Sequence, residues 1–234
     1  MENSSNYNYI FFKKNKFIKI TPKRNGHLFD FYKFKGNTDD KLRDFKDAGA
    51  LKAKKDYLIS NYNKYAELLI KNEYLNFIET DLKLKLYPYK LMHVISDENT
   101  KHLIWHRDVY KHMGKKVGPS WPLYKLAIYL QKTEKSNGIT GFIPGNLNID
   151  FNNKYFDTLY AFLISKFAFY ANAKPGEAML FSGGVMHHRP ASPQKNSREA
   201  IIFSLTTSYQ LFDKYLEDEY SFPNFLRKNK YFTN

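Results

Sequence analysis

Residues 178–203, AMLFSGGVMHHRPASPQKNSREAIIF, constrain the fold of this chain more than any other stretch. Apolar runs of four to six residues are punctuated there by Gly-Gly, Pro and Ser, which reads as short strands joined by turns. Similar runs lie at 90–95, 103–106, 123–131, 139–145 and 167–170, with a Pro-Gly turn at Pro175-Gly176. So many short strands in the last 150 or so residues predict a sandwich or jelly roll.

The front of the chain reads differently. Residues 9–12 and 17–20 predict two short strands around a polar turn, and 21–40 a loop anchored by Phe29, Phe31 and Tyr32. From about 40 to 86 the pattern is helical, with Leu58, Tyr62, Tyr65, Leu68, Leu69, Tyr74, Leu75 and Ile78 at three- and four-residue steps. Pro88 closes that region. A helical insertion near 151–166, apolar at Tyr155, Leu159, Phe162 and Leu163, interrupts the strands, and 209–220 predict a closing helix. We therefore expect one domain over 1–234: strands and scaffold helices (1–88), a β core (89–208), then a helix and tail (209–234). The expected class is mainly β with flanking helices packed outside.

Composition narrows the partners. Of 37 basic residues six are arginine, which leaves 31 lysines, and these are scattered rather than massed in one tail. The formal charge of +14 therefore argues only weakly for nucleic acid, and the abundance of Asn, Ile, Tyr and Phe fits an AT-rich coding bias. A small anionic substrate is the milder inference. No apolar run is long enough to span a membrane, and MENSSNYNYI lacks the look of a secretory signal. The absence of cysteine excludes disulfides and thiol catalysis and fits a cytoplasmic protein. Oligomeric state is not legible.

The chemistry gathers at two places. Trp105-His106-Arg107-Asp108 ends one strand-like run, and residues i and i+2 of a strand point to the same side. His106 and Asp108 can thus offer an imidazole and a carboxylate to one point. One of the adjacent pair His187 and His188 can add a second imidazole, and only one, because neighbours on a strand face opposite ways. Two histidines and one carboxylate form the open ligand face that suits Fe(II). Arg198 enters an apolar strand and offers a planar fork for an organic acid, so an oxo-acid cosubstrate is expected. Each feature has an ordinary alternative: a surface His–Asp pair, a metal-free strand end, or an Arg198 paired with Glu177 or Glu199. His93 reads as a core histidine rather than a ligand.

The sequence resembles the phytanoyl-CoA dioxygenase family of Fe(II)/2-oxoglutarate oxygenases. The resemblance is carried by Trp105-His-Arg-Asp108, Leu126-Ala-Ile-Tyr-Leu-Gln131, Asn137-Gly138 with Phe142-Ile-Pro-Gly145, and Pro175-Gly-Glu-Ala-Met-Leu-Phe181 leading to His187 and Arg198. It implies a double-stranded β-helix core, the cupin-like jelly roll. It implies iron on His106, Asp108 and His187, since Gly176 lies eleven before His187 and Arg198 eleven after it. It also implies 2-oxoglutarate held by Arg198 at its far carboxylate, consumption of O2, and release of succinate and carbon dioxide. Asp108 implies hydroxylation, because halogenases of this fold carry a small residue there.

Two departures stand out. Gly145-Asn-Leu-Asn148 replaces the usual Gly-Ser-His, and Arg189 replaces the small hydroxyl residue often found two after the distal histidine. Lys125 or Tyr129 is the expected second contact to 2-oxoglutarate. The expected activity is thus hydroxylation of a small or carrier-linked metabolite. The alternatives are an inactive jelly-roll binding module and an oxygenase acting on nucleic acid.

Overall fold

The computed structural model describes residues 2–22, 42–44, 51–96, 103–108, 111–112, 115–116, 123–134, 138–151, 153–190, 198–214, 216 and 218–231. Helix α1 spans Glu2–Asn15, followed by strands β1 (Phe17–Ile20), β2 (Leu42–Asp44) and β3 (Leu51–Ala53). Helices α2 (Lys55–Ser60), α3 (Tyr62–Lys71) and α4 (Tyr74–Leu82) lead to β4 (Tyr87–Ser96), β5 (Leu103–His106), β6 (Lys111–His112), β7 (Lys115–Lys116), β8 (Leu123–Tyr129) and β9 (Gly141–Phe142). Helix α5 (Lys154–Leu163) and a short 3-10 turn precede β10 (Phe169–Tyr170), β11 (Ala178–Ser182), β12 (His187–Arg189) and β13 (Arg198–Thr206). Helices α6 (Tyr209–Lys214) and α7 (Phe222–Lys228) follow.

A seven-stranded antiparallel sheet runs β1-β11-β8-β13-β4-β3-β2, and a four-stranded one runs β10-β9-β12-β5. This is the jelly roll with flanking helices that the strand pattern predicts. The large sheet is buried on both faces, which explains why its strands read as nearly unbroken apolar runs. Along β8, Leu126 and Ile128 join the helix-side core with Tyr65, Leu69 and Ile78, while Ala127 and Tyr129 face the small sheet with Phe142. β11 divides likewise, Leu180 toward the helices and Met179 and Phe181 inward. Pro88 lies within β4, where the register against β13 shifts between Ser204 and Leu205. A bulge is where a strand tolerates a residue without an N–H.

Several expectations need correction. Residues 9–12 belong to α1 rather than a strand, because four apolar residues in a row carry no readable period. Lys13 and Lys14 suit the negative end of that helix, and Lys16 stops it with φ 62. The helical region begins at Lys55; Leu42–Asp44 and Leu51–Ala53 are strands added to the sheet edge. Of 139–145 only Gly141–Phe142 is strand, and the closing helix is two. The predicted loop at 21–40 lies outside the described residues from 23 onward.

Helix α5 covers the outer face of the small sheet, with Ala161 against Trp105, Ile143 and Met186. Its apolar stripe is reversed from the one the sequence suggests. Tyr155, Leu159, Phe162 and Leu163 are exposed, while Asp157 is fully buried. Among the described residues no helix is long and apolar enough to cross a membrane.

Candidate metal and oxo-acid site

β5 and β12 are neighbours in the small sheet, with His106 and His187 directly paired across them. Their rings lie 4.3 Å apart. The strand ends at His106, but the alternation of side chains continues: Arg107 turns outward toward α5 and Asp108 returns inward. The backbone N–H of Asp108 donates to Gly183 O at 3.0 Å, which fixes that return. His106 Nε2 is 4.0 Å from Asp108 Oδ1 and His187 Nε2 is 3.7 Å from Asp108 Oδ2.

Backbone carbonyls select the tautomers. His106 Nδ1 lies 2.8 Å from Ile104 O and His187 Nδ1 2.9 Å from Val185 O. A carbonyl accepts only, so each Nδ1 carries the proton and each Nε2 presents a lone pair toward Asp108. Burial lowers the pKa of His106, and burial with the neighbouring ring lowers that of His187 to about 3. Burial acts to raise Asp108, but Lys125 above all, with the two histidines, holds it at about 2. Two neutral imidazoles thus face an ionised carboxylate.

Lys125 on β8 donates to Asp108 Oδ1 at 2.7 Å, whereas Asp108 Oδ2 is buried and accepts no hydrogen bond from any described residue. A buried carboxylate oxygen left bare beside two imidazole lone pairs lacks a cation. Among the described residues, His106, Asp108 and His187 are the group whose ligand atoms, all within 4.8 Å of one another, could hold a metal ion. The donor set fits a divalent ion of the Fe(II) type. His188 does not join it: its ring stacks on Trp105 at 3.9 Å.

The triad opens on a cavity of about 310 Å³, also lined by Tyr129, Thr140, Arg189 and Arg198 and by apolar Met92, Phe181 and Ile202. Arg198, at the start of β13, is 7% exposed. Its Nη1 donates to Gly138 O at 2.5 Å and Thr140 Oγ1 at 3.1 Å, while its buried Nε has no acceptor among the described residues. Neither carboxylate weighed as its partner reaches it. Glu177 binds Lys19, Thr21 and the N–H of Lys174; Glu199 binds His93 Nε2 at 2.6 Å. His93 also meets Tyr65 Oη at 2.8 Å, a core role as expected.

Of the two residues predicted to assist Arg198, Tyr129 lies under its guanidinium at 5.8 Å, and Lys125 is engaged with Asp108. Arg189 donates from Nη1 to Ser96 Oγ at 2.8 Å.

Sequence reasoning missed the support behind the site. Arg107, between His106 and Asp108, is buried and donates to Asp157 Oδ2 (3.1 Å), Asn148 Oδ1 (2.9 Å), Ile149 O (2.6 Å) and Gly184 O. Asn148 Oδ1 also accepts from the N–H of Met186, one residue before His187. One guanidinium therefore ties α5 and the loop after β9 to both histidine strands. The signal was present: alternation sends residue 107 away from its neighbours, and a buried arginine demands an acid.

No family model and no curated protein matches the sequence. Solved structures do. EctD from S. alaskensis with bound Fe is 14% identical at TM-score 0.65, over 88% of this chain and 76% of that one. SnoN, an alpha-ketoglutarate-dependent epimerase from nogalamycin biosynthesis solved with Fe3+, alpha ketoglutarate and nogalamycin RO, is 11% identical at TM-score 0.66, over 88% and 84%. SnoK, a carbocyclase from the same biosynthesis, is 11% identical at TM-score 0.63, over 88% and 85%. At these identities the likeness is one of fold: the chain adopts the jelly roll that it shares with these proteins.

Proposed function

We propose that this chain is an Fe(II)/2-oxoglutarate-dependent dioxygenase, a single oxygenase domain that hydroxylates a small or carrier-linked metabolite. The bare Oδ2 of Asp108, buried beside two imidazole lone pairs in the cavity that holds Arg198, carries the reading. His106, Asp108 and His187 would hold the metal and leave it open to the cosubstrate and O2. When bound, such a metal centre supplies oxygen activation coupled to decarboxylation of the oxo-acid. Arg198 would bind the acid's far carboxylate, a charge-assisted pairing in a dry site. Lys125 keeps Asp108 ionised, and Phe181, Met92 and Ile202 keep water from the reacting centre. The phytanoyl-CoA dioxygenase resemblance supports the same reading, as do the structures of EctD and SnoN solved with iron or 2-oxoglutarate.

SnoN is an epimerase and SnoK a carbocyclase, so the decisive readout is one that precedes the fate of the substrate. Purified protein given Fe(II) and 2-oxoglutarate without oxygen should develop a weak visible charge-transfer band. On aeration it should form succinate, faster with a substrate present. Binding without succinate under every substrate screened would favour a binding module; neither binding nor succinate would overturn the reading altogether.

A further inference from the structure

We propose that the outward face of α5 docks this protein on an anionic lipid surface, lying in the headgroup layer without crossing it. Nine of the fourteen large apolar residues exposed among the described residues fall within 149–169. Six of them follow one another at helical spacing: Tyr155, Phe156, Leu159, Phe162 and Leu163 on α5, then Phe167 in the turn after it. Each is more than half exposed, Tyr155 83%. Aromatic and leucine side chains of that size leave roughly 700 Å² of largely apolar surface in water, more than monomers ordinarily do. The other side of the helix fixes this orientation. Asp157 and Ala161 point inward, and Arg107 holds Asp157 there at 3.1 Å. Thr158 Oγ1 reaches Trp105 O at 3.0 Å, so the helix is fastened, apolar side out, to the strand that carries His106.

Charge decides what can cover this face. The charged side chains of 149–170 are Asp150, Lys154, Asp157 and Lys166. Asp157 is neutralised by Arg107 and Asp150 is half-buried ahead of the helix, whereas Lys154 and Lys166 are exposed at the two ends of the stripe. A second copy is therefore a poor cover. Crossing α5 on α5 antiparallel sets Lys154 against Lys166, crossing parallel sets each lysine against itself, and both chains carry +14. An anionic bilayer meets the same features favourably. Phenylalanine, tyrosine and leucine enter the boundary between headgroups and acyl chains, while the flanking lysines lay their stems along it and keep their ammonium groups among the phosphates. The remaining lysines add an attraction that salt weakens. Because α5 covers the small sheet from outside, docking leaves the metal cavity on the other face clear.

Co-sedimentation of the full chain with vesicles tests this, phosphatidylcholine alone against phosphatidylcholine mixed with phosphatidylglycerol. Wild type should bind the anionic vesicles at least about tenfold more tightly than the neutral ones. Phe156→Ser combined with Phe162→Ser keeps every charge and should lose at least about tenfold on the anionic vesicles, since both rings forfeit their transfer out of water. Lys154→Glu combined with Lys166→Glu keeps the apolar stripe and should lose a similar factor there. Unfolding transitions of both variants should match wild type, because the substituted side chains lie outside the core. Wild-type affinity in the phenylalanine variant would reduce the attraction to scattered lysines and overturn the docking face. Failure to bind either kind of vesicle would overturn it too. So would a dimer, seen by sedimentation velocity without lipid, that the phenylalanine variant dissociates.

Discussion

His187 and His188 are adjacent in sequence and face opposite ways, so one meets Asp108 while the other lies on Trp105. Removing each should have a different result. His187→Ala should lose bound iron, because two remaining ligands hold it poorly. His188→Ala should keep about one iron per chain and lose roughly 1 kcal/mol of stability with the ring stack. Iron content after gel filtration checks both, and the reverse pattern would shift the ligand register by one. The same imidazole sets a pH dependence. The unfolded chain protonates His187 near its ordinary 6.5, whereas burial delays protonation in the folded chain to about 3. Unfolded protein therefore binds more protons in that window, and stability of metal-free protein should fall as pH drops through it, by up to about 1.4 kcal/mol per unit. Asp108, held at about 2 against an ordinary 3.8, extends the loss at lower pH. Urea titrations at pH 7, 6 and 5 test this, and His187→Gln should flatten the slope.

Among the elements, α5 shows how far a helix can depart from its apolar pattern. The spacing of Tyr155, Leu159, Phe162 and Leu163 was legible as a helix, yet the face was not, because a buried ion pair between Arg107 and Asp157 decides which side turns inward. Arg107→Met would strand Asp157 without its cation and should cost about 3–5 kcal/mol by chemical denaturation. It should also weaken metal binding, since His106 and Asp108 flank it. Adding Asp157→Leu should restore much of the stability but not the anchorage. At the other end of the small sheet, a Cβ on Gly145 would fall 1.8 Å from the carbonyl of Lys14, and one on Gly141 would fall 2.6 Å from the His188 ring. Gly145→Ala should therefore force α1 off the loop, a loss of about 1–3 kcal/mol readable as a lowered Tm. The Phe-Ile-Pro-Gly run was recognisable, but its use as a seat for α1 was not, because α1 itself was read as a strand. Strands with two buried faces, such as β8, β11 and β13, were the easiest to read: they carry long apolar runs that nothing else in a chain of this kind explains.

At the scale of the molecule, the strand order of the large sheet sets when the site can form. β13 lies between β4 and β8, each of which precedes it by a long stretch of chain. Until β13 arrives β4 can pair only with β3 and β8 only with β11, so each keeps one open edge, and the same strand delivers Arg198. β1 waits in turn for β11. Pairings this remote close large loops before any contact compensates for the lost entropy, so refolding from urea should be slow, on the order of milliseconds to seconds. During synthesis β4 and β8 each keep one edge open until nearly the whole chain has been made. Variants that weaken β13, Ile201→Thr for instance, should therefore reduce soluble yield at higher growth temperature more than their equilibrium stability alone would suggest. The strand that completes the anion pocket is also the one whose lateness leaves the nascent chain open to aggregation.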